Sequence, residues 1–311
     1  MFKQVEGEWF EFRGVKRLKH DGFLNLGNLG IRFLSELGDL GKFKDLEELL
    51  LDTNRISKLE GLEILSENLK KLNLSFNLFV KINGLESLSN LEELRLDFNN
   101  IIEISGLETL RNLKILWLIS NSISKIENLE SLTNLRELCL NFNPIPKIEG
   151  LETLTNLEHL MLRGCQIEKI DGLENLTNLK ELDLARNNIT RIEGLENLVN
   201  LEKLSLSSNQ IQTIEGLEKL KKLKELFLDD NKLSSTMGVE NLINLEHLDF
   251  RQNKLREIRG LGEMDKLEWL YLGEQEGNPL RDILKKLGGL SSVGYAMSAQ
   301  NFVSYCQRDN I

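Results

Sequence analysis

The amino-acid sequence predicts an α/β repeat, a right-handed solenoid whose strands form one parallel β-sheet, and three observations predict it. First, one phrase, approximately L-x-x-L-x-L-x-x-N-x-I-x-x-I-x-G-L-E-x-L-x-N, is written ten times between Leu46 and Lys266, at a period of 22 residues in nine of them. Second, its ninth position reads Asn54, Asn77, Asn99, Asn121, Asn143, Cys165, Asn187, Asn209, Asn231 and Asn253. Third, its fourth and sixth positions are apolar with a variable residue between them, as in Glu93-Leu94-Arg95-Leu96, which is the alternation of a short strand. Stacked units share one core and touch only their neighbours, so one domain is expected despite the 311-residue length.

Taken in order, residues 1–45 read as an N-terminal β cap with a degraded repeat, 46–266 as the ten repeats, and 267–311 as a terminal strand and a helical C-terminal cap. In the first segment, Glu8-Trp9-Phe10-Glu11-Phe12 and Val15-Lys16-Arg17-Leu18 alternate around Arg13-Gly14, which predicts a hairpin. From Leu24 on, Leu29, Leu34, Leu37, Leu40 and Phe43 fit an imperfect copy of the phrase. Within each repeat, apolar residues such as Ile101, Ile104, Leu107 and Leu110 recur at spacing three, which suits turns or short 3₁₀ segments on the convex side. The glycine at the sixteenth position, replaced once by Asn128, implies a backbone that other residues rarely adopt. The asparagine column supplies two donors and an acceptor to backbone groups where the chain turns, forming a ladder with Cys165 on one rung. Basic residues at position 13 and Glu at position 18 form two further columns, expected to offset one another on a solvated surface.

After Leu267-Glu268-Trp269-Leu270-Tyr271-Leu272 three extra residues intervene, and Asn278-Pro279-Leu280 resumes the phrase. Arg281 to Leu290 carries Ile283, Leu284, Leu287 and Leu290 at helical spacing, and Ser298 caps a last helix presenting Phe302, Val303 and Cys306. Both read as lids over the final repeat.

The formal charge of −10 and pI near 5.1 oppose nucleic acid and an anionic membrane surface, and favour a basic partner. The start of the chain, with Glu6, Glu8 and Glu11, lacks the apolar core of a signal peptide, and no 18-residue apolar run occurs elsewhere. Three scattered cysteines add to the expectation of a cytoplasmic protein. Nothing predicts an enzyme. There is no nucleotide fingerprint or zinc spacing, and Cys139 and His159, on neighbouring strands, lack a third orienting group. No cofactor or metal is expected.

With the paired leucines facing inward, positions 3, 5 and 7 face solvent on the concave side. Position 5 then presents Arg95, Trp117, Cys139, Met161, Phe227, Asp249 and Tyr271, with Ile115, His159 and Trp269 at position 3 and Ile119 at position 7. Ile115, Trp117 and Ile119, flanked by Cys139, Met161 and His159 and ringed by polar groups that include Arg95, have the layout of an interface hot spot. Phe227, His247, Asp249, Trp269 and Tyr271 make a second candidate patch. Phe76, Phe98 and Phe142 at position 8 are instead expected to pack on the adjacent Asn turn.

Phrases such as Ile192-Glu193-Gly194-Leu195-Glu196-Asn197-Leu198-Val199-Asn200-Leu201 resemble the short leucine-rich repeats of the protein phosphatase-1 regulatory-subunit type, over about Leu24 to Leu290. The resemblance implies a leucine-rich-repeat solenoid that acts as an interaction scaffold or regulatory subunit, binding a protein or peptide on its concave sheet. Tyr271 matches one aromatic binding position of that family, whereas His247 and Asp249 stand where an acidic residue and a Trp would be expected. The run Leu132-Thr133-Asn134-Leu135 also resembles bacterial internalins, which are surface receptor binders.

Overall fold

The computed structural model describes residues 8–38, 40–65, 67–273, 275 and 279–308, without the side chains of Leu40 and Lys42. Glu6 and Asn278 lie outside the described residues, so the readings that rest on them are not addressed structurally. The chain divides into two compact units, Met1–Pro144 and Ile145–Ile311.

The first unit opens with the expected hairpin. Strands β1 (Glu8–Phe12) and β2 (Val15–Lys19) pair antiparallel, with Phe12 opposite Val15. The linking residues Arg13 and Gly14 both have positive φ, 50° and 79°, the twist that a two-residue hairpin requires. Alternation turns Phe10 and Phe12 inward, where the Phe10 ring meets Phe43 edge to face at 5.6 Å. The imperfect repeat forms β3 (Phe23–Asn25), which pairs parallel with β4 (Glu48–Leu50). β5 (Lys71–Asn73), β6 (Glu93–Arg95), β7 (Ile115–Trp117) and β8 (Glu137–Cys139) continue the parallel sheet in register.

The second unit repeats the pattern in β9 (His159–Met161), β10 (Glu181–Asp183), β11 (Lys203–Ser205), β12 (Glu225–Phe227), β13 (His247–Asp249) and β14 (Trp269–Tyr271), all parallel. In both units the fourth- and sixth-position leucines are inside; Leu94, Leu182, Leu184 and Leu204 are all 0% exposed. The spacing-three residues form 3₁₀ segments at Leu34–Leu37, Leu40–Phe43 and Leu62–Leu65. Later repeats use successive turns in which Leu110 donates to Leu107 and Leu113 to Leu110, each at 3.0 Å.

The asparagine ladder forms as its chemistry requires. Asn187 Nδ2 donates to the carbonyls of Leu162, Leu184 and Ala185 at 2.9–3.3 Å, and its Oδ1 accepts the Ile167 N–H at 3.0 Å. The last rung corrects the sequence reading. Gln275, 22 residues after Asn253, donates to Phe250, Leu272 and Gly273 and accepts from Leu255, so the period runs through the supposed insertion. A second ladder was not foreseen. Asn112, Asn134, Asn178, Asn200 and Asn244, from the last position of the phrase, each donate to a carbonyl 23 residues earlier.

The charge columns also differ from expectation. Position-13 bases reach acids at positions 13 and 15, as in Lys81–Glu103, Lys147–Glu149 and Arg191–Glu215. Position-18 glutamates turn instead to the glycine N–H two residues back: Glu86 accepts from Gly84, Glu108 from Gly106 and Glu240 from Gly238. A backbone donor held in a tight turn outcompetes a mobile lysine head.

At the far end α1 (Arg281–Lys286) buries Leu284, and α2 (Ala299–Arg308) buries Phe302, Val303 and Cys306. Between them Gly294 and Ala296 run against β14, with Ala296 N–H donating to Leu270 O at 2.7 Å and Leu272 N–H to Gly294 O at 2.9 Å. This extended segment covers the exposed strand edge, a device invisible in the helical spacing of its neighbours. Among the described residues no helix is long and apolar enough to cross a membrane.

Candidate partner-binding surface

Strand alternation decides which side chains can meet a partner, because positions 3, 5 and 7 leave the sheet on the side opposite the leucine core. In the first unit this places Arg95, Ile115, Trp117 and Ile119 on one face, each partly covered. The Trp117 indole lies under the Arg95 guanidinium at 4.1 Å, and its Nε1–H donates to Glu137 Oε1 at 2.6 Å. Arg95 Nε is itself held by Glu93 Oε1 at 2.6 Å. The expected hot spot is therefore an aromatic already engaged by its own arginine and glutamate.

Cys139 corrects the surface assignment: it is 2% exposed. In the register Trp117, far larger than a thiol side chain, stands directly beside it. Asp97, at position 7 of the neighbouring repeat, is buried while accepting the Ile119 N–H at 2.8 Å and the Ser75 hydroxyl at 3.3 Å. Burial pushes its carboxyl up, and those hydrogen bonds only partly offset the effect.

The position-8 phenylalanines stand at the same edge of the strands. Phe76, Phe98 and Phe142 are about half exposed and occupy left-handed backbone, with φ of 55°, 52° and 58°. Phe76 and Phe98 stack on one another at 4.4 Å, each covering part of its neighbour's ring.

In the second unit Met161 and His159 are partly covered, and His159 Nδ1 faces Glu181 Oε2 at 3.4 Å. Burial raises the Glu181 carboxyl, but the Lys203 ammonium at 2.8 Å and His159 outweigh it and bring the pKa below the ordinary value. Further along, the aromatic side chains converge. Phe227 lies 4.8 Å from His247, His247 stacks on Tyr271 at 5.2 Å, and Tyr295 from the cap meets Tyr271 at 6.0 Å and Trp269 at 5.9 Å. Trp269 stays 47% exposed. Desolvation among these rings holds the His247 pKa below its usual value, although Asp249 and Glu225 oppose the shift.

Asp249 is the second correction, at 1% exposure. The register sets it between Phe227 and Tyr271, and Arg251 closes over it with Nε at 3.0–3.1 Å and Nη2 at 2.5 Å. Arg251 also lies over the Tyr271 ring at 4.7 Å. Phe227, His247, Tyr271, Asp229 and Arg251 line one open groove with Ser205 and Ser207. Asp229 and Ser207 carry a part of this groove that sequence reading overlooked; the signal was a position-7 acid two residues after a position-5 aromatic. Among the described residues no cluster of three His, Cys, Asp or Glu side chains could hold a metal.

Three-residue parallel strands at a 22-residue period, an asparagine ladder between them and a cap at each end define a leucine-rich-repeat solenoid. A family model described as leucine rich repeats (2 copies) matches residues 111–153, 155–197 and 199–241. Among solved structures the chain is similar to an internalin (inlF) from Listeria monocytogenes, with 26% identity, TM-score 0.66 and 85% of each chain covered. It is also similar to a chain of the octameric complex of Latrophilin 3, Unc5D and FLRT2, whose leucine-rich-repeat component is FLRT2, with 28% identity, TM-score 0.65 and 75% of this chain and 76% of that one covered. A TLR13–ssRNA13 complex shares the fold at 24% identity and TM-score 0.66, and this chain covers 43% of the matched chain.

Proposed function

We propose that this protein is a non-enzymatic interaction scaffold, and that the groove on the sheet of its second unit receives a partner protein or peptide. The observation that carries this reading is the ring series Phe227, His247, Tyr271, Tyr295 and Trp269, which stands on the solvent side of the strands with Trp269 left 47% exposed. Core packing has no use for it, since the leucines already fill the interior. Rigid aromatic side chains beside charged groups are what protein interfaces concentrate at their centres. The similarity to an internalin and to a chain of the FLRT2 complex supports a protein partner, because FLRT2 is found there assembled with Latrophilin 3 and Unc5D.

The test compares capture of partners by wild type, Trp269→Ala and Tyr271→Ala, with Trp117→Ala as the competing site and a single-stranded RNA oligonucleotide as a second ligand. Loss of about 2 kcal/mol or more of affinity for a captured protein in the first two variants, at unchanged melting temperature, is the expected result. Tight RNA binding, or a protein lost only in Trp117→Ala, would move the function elsewhere.

A regulatory subunit of the phosphatase type is the finer version of this reading. Tyr271 supports it, and it requires that wild type, but not Tyr271→Ala, change the activity of a protein phosphatase-1 catalytic subunit. We place the protein in the cytoplasm, a reading supported by its three cysteines, which are buried and form no disulfide among the described residues. The similarity to an internalin favours the second reading, a surface receptor binder; recovery of the protein outside the cell would select it.

A further inference from the structure

On the strands of the parallel sheet the protein pairs arginine with an aromatic ring and a carboxylate at two places using its own residues, as Arg13 does with Phe12 and Glu36 in the N-terminal hairpin. Arg95 is held by Glu93 and lies over Trp117; Arg251 is held by Asp249 and lies over Tyr271. In each case the guanidinium offers planar donors to the acid while its face covers the ring. A third combination of ring and acid stands in the groove of the second unit. Phe227 ends β12 next to His247, Asp229 follows two residues later, and both line the groove with the exposed Asp230.

This third acid has no arginine or lysine of its own. Asp229 accepts a hydrogen bond from the Ser207 hydroxyl, and no ion pair reaches it among the described residues. Of the bases lining the groove, Arg251 exerts a minor pull on the Asp229 carboxyl but is held by Asp249 through three contacts, and Lys203 is held by Glu181. Burial and the neighbouring Asp249 raise the Asp229 carboxyl above its ordinary pKa, so at neutral pH the ion is held against a cost. A serine or asparagine would fill the same place without that cost, as Ser207 does in the preceding repeat.

We infer that Asp229, with the Phe227 ring beside it, is the receptor for an arginine side chain of the partner. This deepens the groove assignment proposed above and rests on it. Charge complementarity selects a cation; Lys19 shows that an ammonium can sit between an acid, Asp45, and a ring, Phe43, but only a planar fork can bind the acid and stack flat on the ring together, as Arg95 and Arg251 do. The partner contributes an extended or looped segment bearing that arginine, laid along β10–β14.

A short-peptide library displayed on phage, selected on the immobilised whole chain, supplies the probe. The expected result is recovery of arginine-containing peptides whose affinity falls about tenfold or more when that arginine becomes the neutral isostere citrulline. Asp229→Asn should cause the same loss, and on that variant the change from arginine to citrulline should have no further effect, with a melting temperature no lower than wild type at neutral pH. Phe227→Leu should weaken arginine peptides more than lysine ones. Peptides that bind the groove with no basic residue, or that bind Asp229→Asn as well as wild type, overturn the arginine receptor and leave the binding groove standing. Peptides insensitive to Trp269→Ala and Tyr271→Ala overturn the groove itself.

Discussion

At the residue scale, the ladder asparagines and Asp229 carry opposite signs for stability. Asn187 satisfies three carbonyls and one N–H inside the molecule, so its replacement by alanine strands buried backbone groups. Asn187→Ala is expected to cost about 2–4 kcal/mol in a urea unfolding series, against roughly zero for the exposed neighbour Asn188→Ala. Equal effects would mean that the ladder bonds exchange freely with water. Asp229 is the reverse case. Its pKa is raised in the folded state by burial, then by Asp249, so its stabilising contribution is complete below the unfolded value and is lost as pH rises through the folded value. At neutral pH the ionised side chain therefore costs stability, and Asp229→Asn should melt higher than wild type. The advantage should vanish at about pH 3, where both forms are neutral. A variant that melts lower at neutral pH would show the carboxylate to be better satisfied than its surroundings suggest.

At the element scale, the turn at the sixteenth position of the phrase uses glycine for two separable reasons. Gly106 has φ of 70°, and a Cβ there would stand 2.4 Å from the Ile82 carbonyl oxygen of the preceding repeat. Gly61, with φ of 96°, would place its Cβ in open space. Gly61→Ala should cost only the backbone penalty, about 1–2 kcal/mol, and Gly106→Ala distinctly more, because the carbonyl must also give way. Asn128 supplies the natural control: at φ of 60° its Nδ2 donates to Ile104 O at 2.7 Å, turning the same approach into a hydrogen bond. Thermal melts of Gly106→Ala and Gly106→Asn check this, the asparagine being the milder change. If both variants melt with Gly61→Ala, the close approach relaxes without cost. The C-terminal cap obeys a different rule. α2 closes the core with Phe302, Val303 and Cys306, and Gln300 Nε2 caps the Leu267 carbonyl at 2.9 Å. Both the helix and its inward face follow from the spacing of those three residues, whereas the strand-edge cover at Gly294 and Ala296 follows from a Gly273–Gly294 approach that no periodicity encodes.

At the scale of the whole molecule, what could be read in advance divides along a physical line. A column that repeats every 22 residues averages out local accident, so the inward leucines, the turn glycines and the Asn54-to-Asn253 ladder were all legible. What depends on a pair of unlike neighbours was not. The burial of Cys139 beside Trp117, the closure of Arg251 over Asp249 two residues away and the diagonal capture of Trp117 by Glu137 follow from which unlike side chains come within reach of one another. Binding sites belong to this second category, because a surface becomes specific only where it departs from the repeat. Folding stability belongs to the first, and it should be distributed accordingly. In a stack whose members touch only their neighbours, removing core from one turn weakens that turn and the two beside it. Leu204, 0% exposed on β11 between β10 and β12, tests the point. Leu204→Ala is expected to cost about 2–5 kcal/mol. In native-state hydrogen exchange the loss of protection should centre on β10–β12 and fade toward β14 and its helical cap. A uniform loss across the second unit would mean that it opens as one cooperative block, and the groove would then share its stability with every repeat beneath it.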